Sequence, residues 1–279
     1  MSAVRALIRR SVETLPGTSG VRLIRWVQDL RVPALRDRRR EHARILARLG
    51  NPDEILAGPF RGMRYGRFAW GSQLLPKFVG TYELELHAAL ESLIASEPDV
   101  VVDVGAAEGY YAVGLARRLP RSTVVTFDTS PASRRLLGAL ASQNGVAGQV
   151  HIRGTCAPST LEAALATAVR PAVIIDCEGY EDLIADPIAV PSLARATLVV
   201  ETHEPLVPGV EGRIRERFAA THHVETLPQR PRSPHDLPAG VRLKEPGPAS
   251  DVAECMNEYR WDGGVQTWLW MRPREKDEG

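Results

Sequence analysis

Residues 99–109 read Asp99-Val-Val-Val-Asp103-Val-Gly105-Ala-Ala-Glu108-Gly109, an apolar run that stops at a carboxylate and breaks into a glycine-containing turn. The run is too short for a helix, and its β-branched residues suit a strand buried on both faces. After Gly109, apolar residues recur at helical spacing through Tyr110–Arg118. Strand, turn and helix in this order open a βα unit.

The alternation continues in both directions. A helix over Thr81–Ala95 precedes the run, and Ser122–Asp128, Gln149–Arg153, Ala172–Asp176, Thr197–Glu201, His223–Leu227 and Val265–Met271 follow it as further strands. Helices over Ala132–Ser142, Thr160–Ala168 and Glu211–Ala220 separate them. Short apolar strands alternating with helices predict an α/β fold with a doubly wound, mostly parallel, seven-stranded sheet and right-handed crossovers. In Val265–Met271, Trp268 and Trp270 share one face and Thr267 and Leu269 the other. The tryptophans read as core or interface.

The chain has 279 residues, 44% hydrophobic and 25% charged, which excludes disordered and fibrous classes. No apolar stretch reaches the roughly 20 residues of a membrane span, and Arg9, Arg10 and Glu13 interrupt the place of a signal peptide's apolar region. A cytoplasmic protein is expected. Cys156, Cys177 and Cys255 are far apart and form no CxxC pair, so neither a disulfide nor a cysteine metal site is expected.

The net charge of +1 hides an asymmetry. Residues 1–50 carry 12 Arg or Lys against 4 acids, net +8, and the other 229 residues carry the balancing −7. Residues 1–80 read as a basic, mainly helical N-terminal extension, with apolar stripes at Val4, Leu7, Ile8, Val12 and Leu15 and again at Val21, Ile24 and Val27. Residues 81–279 read as the sheet domain, interrupted at about 228–263 by an insertion whose first part holds six prolines. The arm offers a surface for pairing into a homo-oligomer.

Ligands of doubly wound sheets sit at the carboxyl ends of the strands. At the first such end, Gly105 lets backbone approach a ligand and Gly109 permits a tight turn into a helix N-terminus. The dinucleotide pattern G-x-G-x-x-G is not spelled, because Ala107 stands at its second glycine. The second strand ends in Asp128, 19 residues after Gly109, where a carboxylate can accept two hydrogen bonds from ribose hydroxyls. Each feature alone also fits a plain strand-to-helix turn or a helix N-cap. Together, at this separation, they point to a nucleoside ligand.

These residues resemble the first motif, D-x-G-x-x-x-G, of the class I S-adenosylmethionine-dependent methyltransferases and the acid that ends their second strand. Ile174-Ile-Asp176-Cys-Glu178-Gly-Tyr-Glu181 and Val199-Val-Glu201-Thr-His203 are similar to the "IDVEGxE" and "E-x-H" segments of the FkbM-like O-methyltransferases, with Cys177 in place of valine. The resemblance covers about residues 81–227. It implies an S-adenosylmethionine pocket built by Asp103, Gly105, Ala106, Glu108 and Gly109, with Asp128 on the ribose and Thr129, Thr155 and Cys156 beside the adenine. Tyr82 and Glu83 would close the methionine end, with Tyr110 near its carboxylate.

Chemistry must come from strands four and five. Asp176 and Glu178, like Glu201 and His203, are two apart and share a face in extended chain. Asp176, Glu178 and His203 are therefore the candidate catalytic residues, with two mechanisms open. Either His203 or Glu178 is the general base for a hydroxyl, or Asp176, Glu201 and His203 hold a divalent ion such as Mg2+ that activates it. Glu178 and Glu181 also fit the first turn of a helix, and His203 a satisfied strand end.

The expected function is an O-methyltransferase acting on a hydroxyl of a small molecule or glycan, of the sugar or secondary-metabolite type. A nucleic-acid methyltransferase using the basic arm is the alternative, disfavoured by acids where amino-methylating enzymes carry Asn-Pro-Pro-Tyr. A non-catalytic S-adenosylmethionine-binding scaffold is the third reading. Within the insertion, His235, Arg242, Lys244, Glu258 and Arg260 are expected to face the acceptor.

Overall fold

A computed structural model describes residues 33–67, 69, 72–259 and 267–274. The apolar stripes of residues 4–27 and Arg260 lie outside the described residues. Helix α1 (Pro33–Arg48) is followed by α2 (Leu74–Val79) and α3 (His87–Ala95). The alternation then runs β1 (Val100–Val104), α4 (Tyr110–Arg118), β2 (Thr123–Phe127), α5 (Pro131–Gln143), β3 (Val150–Arg153), α6 (Pro158–Leu165) and β4 (Pro171–Ile175). It closes with α7 (Glu181–Ile184), β5 (Thr197–Thr202), α8 (Val210–Phe218), β6 (His222–Pro228), α9 (Ser250–Glu254) and β7 (Thr267–Pro273).

The seven strands form one sheet in the order β3-β2-β1-β4-β5-β7-β6. Strand β7 runs antiparallel to β5 and β6, and the other pairings are parallel. This is the mostly parallel, doubly wound, seven-stranded sheet that the alternation of strands and helices predicts. The strand order reverses between β1 and β4, which places the crevice for a ligand at their carboxyl ends.

The strands' period of two sorts the core into two layers. Val101, Val124, Ala172, Ile174, Val199, Trp268 and Trp270 face one apolar cluster, and Val102, Phe127, Val173, Ile175, Val200, Leu269 and Met271 face the other. The first cluster also takes in Ile45, Leu49, Ile55, Phe60, Met63, Leu75 and Phe78, so these side chains pack over that face of the sheet.

Helix α4 matches its expected bounds, whereas the helix expected over Thr81–Ala95 begins only at His87. Glu83 has a φ of 47°, outside the helical region, and a short 3-10 turn, Leu84–Leu86, bridges the gap. Among its described residues the proline-rich insertion is irregular except for a 3-10 turn at Pro234–Asp236 and α9. It is clamped onto α1. Asp251, fully buried, accepts from Arg44 Nη2 at 2.7 Å and from Arg48 Nη1 at 2.7 Å, and His42 Nε2 lies 3.0 Å from Glu254 Oε1.

Candidate functional site

The turn after β1 is shaped by two glycines. Gly105 has a φ of 89°, and a Cβ there would fall 1.6 Å from the carbonyl oxygen of Asp176. Only glycine lets the ends of β1 and β4 approach this closely. Gly109, at φ 97°, starts α4, and a Cβ there would meet Leu137 at 2.8 Å.

Above this turn lies a cavity of about 610 Å3, within the range of sites for cofactor-sized ligands. Its wall includes Tyr82, Asp103, Gly105, Ala106, Glu108, Tyr110, Asp128, Thr129, Thr155 and Cys156. Of the residues expected to bind a cofactor, Gly109 and Glu83 are not on the wall. Gly109 acts through the backbone of the turn. Glu83 is buried behind it, accepting from the Tyr111 hydroxyl, while its N–H donates to Glu258 Oε1 at 3.2 Å.

Asp128 is held at the end of β2 by backbone. Its Oδ2 accepts from the Ala107 N–H at 2.8 Å and its Oδ1 from the Ser130 N–H at 2.7 Å. The N-cap of α5 is Ser130, whose side chain accepts from the Ser133 N–H at 3.3 Å. Asp128 is thus not the cap. Asp103 Oδ2 is buried without a hydrogen-bond partner on the cavity wall. Burial, reinforced by Asp176, pushes the Asp103 carboxyl up to about 8.

Lys77, on α2, is the wall residue that the pattern of strands and turns does not reveal. Its buried ammonium donates to Glu108 Oε1 at 2.6 Å and to Ser72 Oγ at 2.8 Å. It sits 4.6 Å from the Tyr82 ring centroid and 4.9 Å from that of Tyr110, within cation–π range. Tyr65 donates to the same Glu108 oxygen. The signal for Lys77 was its place in an otherwise apolar segment, Leu74–Val79.

The ends of β4 and β5 bring four groups together. His203 Nε2 lies 3.8 Å from Asp176 Oδ1, 3.7 Å from Glu178 Oε2 and 3.8 Å from Glu201 Oε2. Asp176, Glu178 and Glu201 line the cavity, and His203 stands immediately behind them. On its other side, His203 Nδ1 is 2.8 Å from Glu181 Oε1. The pair is close but not aligned for a straight hydrogen bond. Glu181, fully buried at the start of α7, also accepts from the Cys177 and Gly179 N–H groups at 3.0 and 3.2 Å.

Burial is the largest influence on His203 and disfavours its charged form. Glu181, with Asp176 and Glu178, outweighs it, and the imidazole lies above its ordinary value. Glu181 in turn is lowered, because His203 and two backbone N–H groups outweigh burial. Burial and then Glu181 hold the Cys177 thiol far above the ordinary range, which fits a packing role rather than a nucleophile.

Asp176, Glu178 and His203 each offer a ligand atom within 4.8 Å of the others, so Glu178 joins this set where the sequence pattern suggested Glu201. Among the described residues the wall holds six acidic side chains, on Asp103, Glu108, Asp128, Asp176, Glu178 and Glu201, against the ammonium of Lys77. Of the insertion residues expected to face the acceptor, His235, Arg242, Lys244 and Glu258 are not on the wall. Glu258 is instead spent on Arg232 and the Glu83 N–H, and the Lys244 N–H donates to the Arg48 carbonyl.

A scan against protein-family models finds no match, and a search of curated proteins finds no relative. Among solved structures, the chain is similar to an O-methyltransferase from Bacillus cereus in complex with SAH, with 14% identity, a TM-score of 0.45 and coverage of 67% of this chain and 79% of that one. It is also similar to the O-methyltransferase TomG from Streptomyces achromogenes, involved in tomaymycin synthesis, in complex with SAM, with 15% identity, a TM-score of 0.44 and coverage of 66% and 78%. A precorrin-6y C5,15-methyltransferase from Geobacter metallireducens GS-15 aligns with 12% identity, a TM-score of 0.40 and coverage of 67% and 88%.

Proposed function

We propose that the protein is an S-adenosylmethionine-dependent O-methyltransferase of FkbM-like type, acting on a hydroxyl of a small molecule or glycan. The observation that carries this reading is the cavity at the β1–β4 switch point, with Asp128 fixed at the end of β2 and Asp103 Oδ2 unpartnered inside it. A carboxylate-rich wall suits a ligand with a cationic sulfonium and an ammonium. It is a poor surface for a polyanion, which speaks against the nucleic-acid alternative.

Asp128 would take the ribose hydroxyls, Thr129, Thr155 and Cys156 would flank the adenine, and Asp103, Glu108, Tyr82 and Tyr110 would enclose the methionine end. Bound there, S-adenosylmethionine supplies an electrophilic methyl group on a sulfonium centre. Asp176 and Glu178 orient the acceptor hydroxyl on the cavity wall. His203, biased by Glu181 to carry its proton on Nδ1, offers Nε2 as the proton acceptor. The close set of Asp176, Glu178 and His203 supports a second reading, in which a divalent cation held there lowers the hydroxyl's pKa.

Calorimetric titration with S-adenosylmethionine, with NAD as control, tests the central claim. Binding of the first and not the second is expected. No binding of S-adenosylmethionine by folded protein overturns the reading. Turnover abolished by a chelator and restored by Mg2+ would favour the second reading over His203 as the base.

A further inference from the structure

Among the described residues five large apolar side chains are markedly exposed: Val169, Tyr180, Leu183, Ile188 and Leu206. Three of these five belong to the two segments that carry the acid and histidine cluster. Tyr180 is 55% exposed and also lines the cavity. Leu183, 49% exposed, lies one helical turn further on, its N–H donating to the Tyr180 carbonyl at 3.1 Å. Leu206, 59% exposed, follows His203 in the loop after β5. A Cβ on Gly179 would stand 3.5 Å from Leu206 Cβ, so that loop abuts the turn carrying Glu178 and Tyr180. An apolar rim thus continues outward from the place where the acceptor hydroxyl must sit.

Exposed apolar surface edged by polar groups and continuous with a cavity marks a ligand site. We infer that Tyr180, Leu183 and Leu206 form the acceptor subsite and that the acceptor is an uncharged alcohol or phenol whose hydroxyl is carried on an apolar frame. The inference rests on the methyltransferase reading above. The frame lies against the rim while the hydroxyl reaches Glu178 and Asp176. An anionic group beside the hydroxyl meets Asp176, Glu178 and Glu201 and is repelled.

Protein saturated with S-adenosylhomocysteine, titrated with 1-butanol, 1-hexanol, 1-octanol and n-octyl phosphate, tests this. Affinity is expected to rise about two- to fourfold per added methylene, as burial against an apolar rim requires. The double variant Leu183→Gln/Leu206→Gln, altered only at exposed positions, keeps its S-adenosylhomocysteine affinity and flattens the series. n-Octyl phosphate binds at least tenfold more weakly than 1-octanol. A flat series in the unaltered protein, a series undiminished in the double variant, or equal binding of n-octyl phosphate overturns the inference while leaving the cofactor reading intact. Failure of S-adenosylhomocysteine to bind overturns both readings.

Discussion

His203 and Glu181 meet across the ends of β5 and α7, with Nδ1 of the imidazole 2.8 Å from Oε1 of a carboxylate that is itself fully buried. The pairing leaves Nε2 turned toward the cavity acids and makes the imidazole more basic. Replacing His203 with Gln is expected to cut turnover by about 10²- to 10⁴-fold, the usual contribution of a general base. Glu181→Gln, which disturbs only orientation and charge, is expected to cost about tenfold to a hundredfold. Steady-state rates together with S-adenosylmethionine titrations check this, because both variants should retain the cofactor's affinity.

Asp128→Ala is expected to weaken S-adenosylmethionine binding by about tenfold to a hundredfold, the loss of charge-assisted hydrogen bonds to a ribose. Calorimetry reads the change directly. Unaltered affinity would remove Asp128 from the cofactor site and leave it as an organiser of the Ala107 and Ser130 backbone.

Asp103 gives stability a pH dependence of determinable sign. Its carboxyl is raised from 3.8 to about 8, so the folded protein holds a proton that the unfolded chain releases in this window. The corresponding stability is fully present below pH 3.8 and is lost as pH rises through about 8. Denaturant unfolding at pH 5 and pH 8 should show a decline on the order of a few kcal/mol. Asp103→Asn should flatten it.

The glycine at 105 is expected to resist substitution. Gly105→Ala sets a Cβ against backbone of β4 at a φ of 89°, a cost on the order of 3–5 kcal/mol that thermal melting will register. Gly212, inside α8 with nothing within 4 Å of a built Cβ, is the contrasting case. Gly212→Ala should stabilise by about 0.5–1 kcal/mol, the helix-propensity gain.

What the sequence reveals of this molecule follows from which interactions are local. The bounds of α4 can be read because Gly109 and an unbroken apolar period mark them. Asp103, Asp128 and Asp176 are legible because each stands at or just beyond an apolar run that could only be a buried strand. The late start of α3 is not, since the φ of 47° at Glu83 belongs to a contact with Glu258, 175 residues away. Lys77 and Tyr65 are hidden for the same reason, as their bonds to Glu108 span 31 and 43 residues. Glu181 is the intermediate case. Its place in a first helical turn is visible, but its contact with His203 depends on β4 and β5 being neighbours.

The clamp between α1 and the insertion has a consequence for the order in which the molecule is completed. Arg48 and Asp251 are separated by 203 residues, so on a ribosome adding about 5–20 residues per second the helix waits roughly 10–40 s for its counter-ion. During that interval Ile45 and Leu49 can pack against the growing apolar cluster, while Arg44 and Arg48 wait for Asp251. The first described helix thus receives its counter-ion late, and the completed clamp reports that the chain has been made at least as far as Asp251.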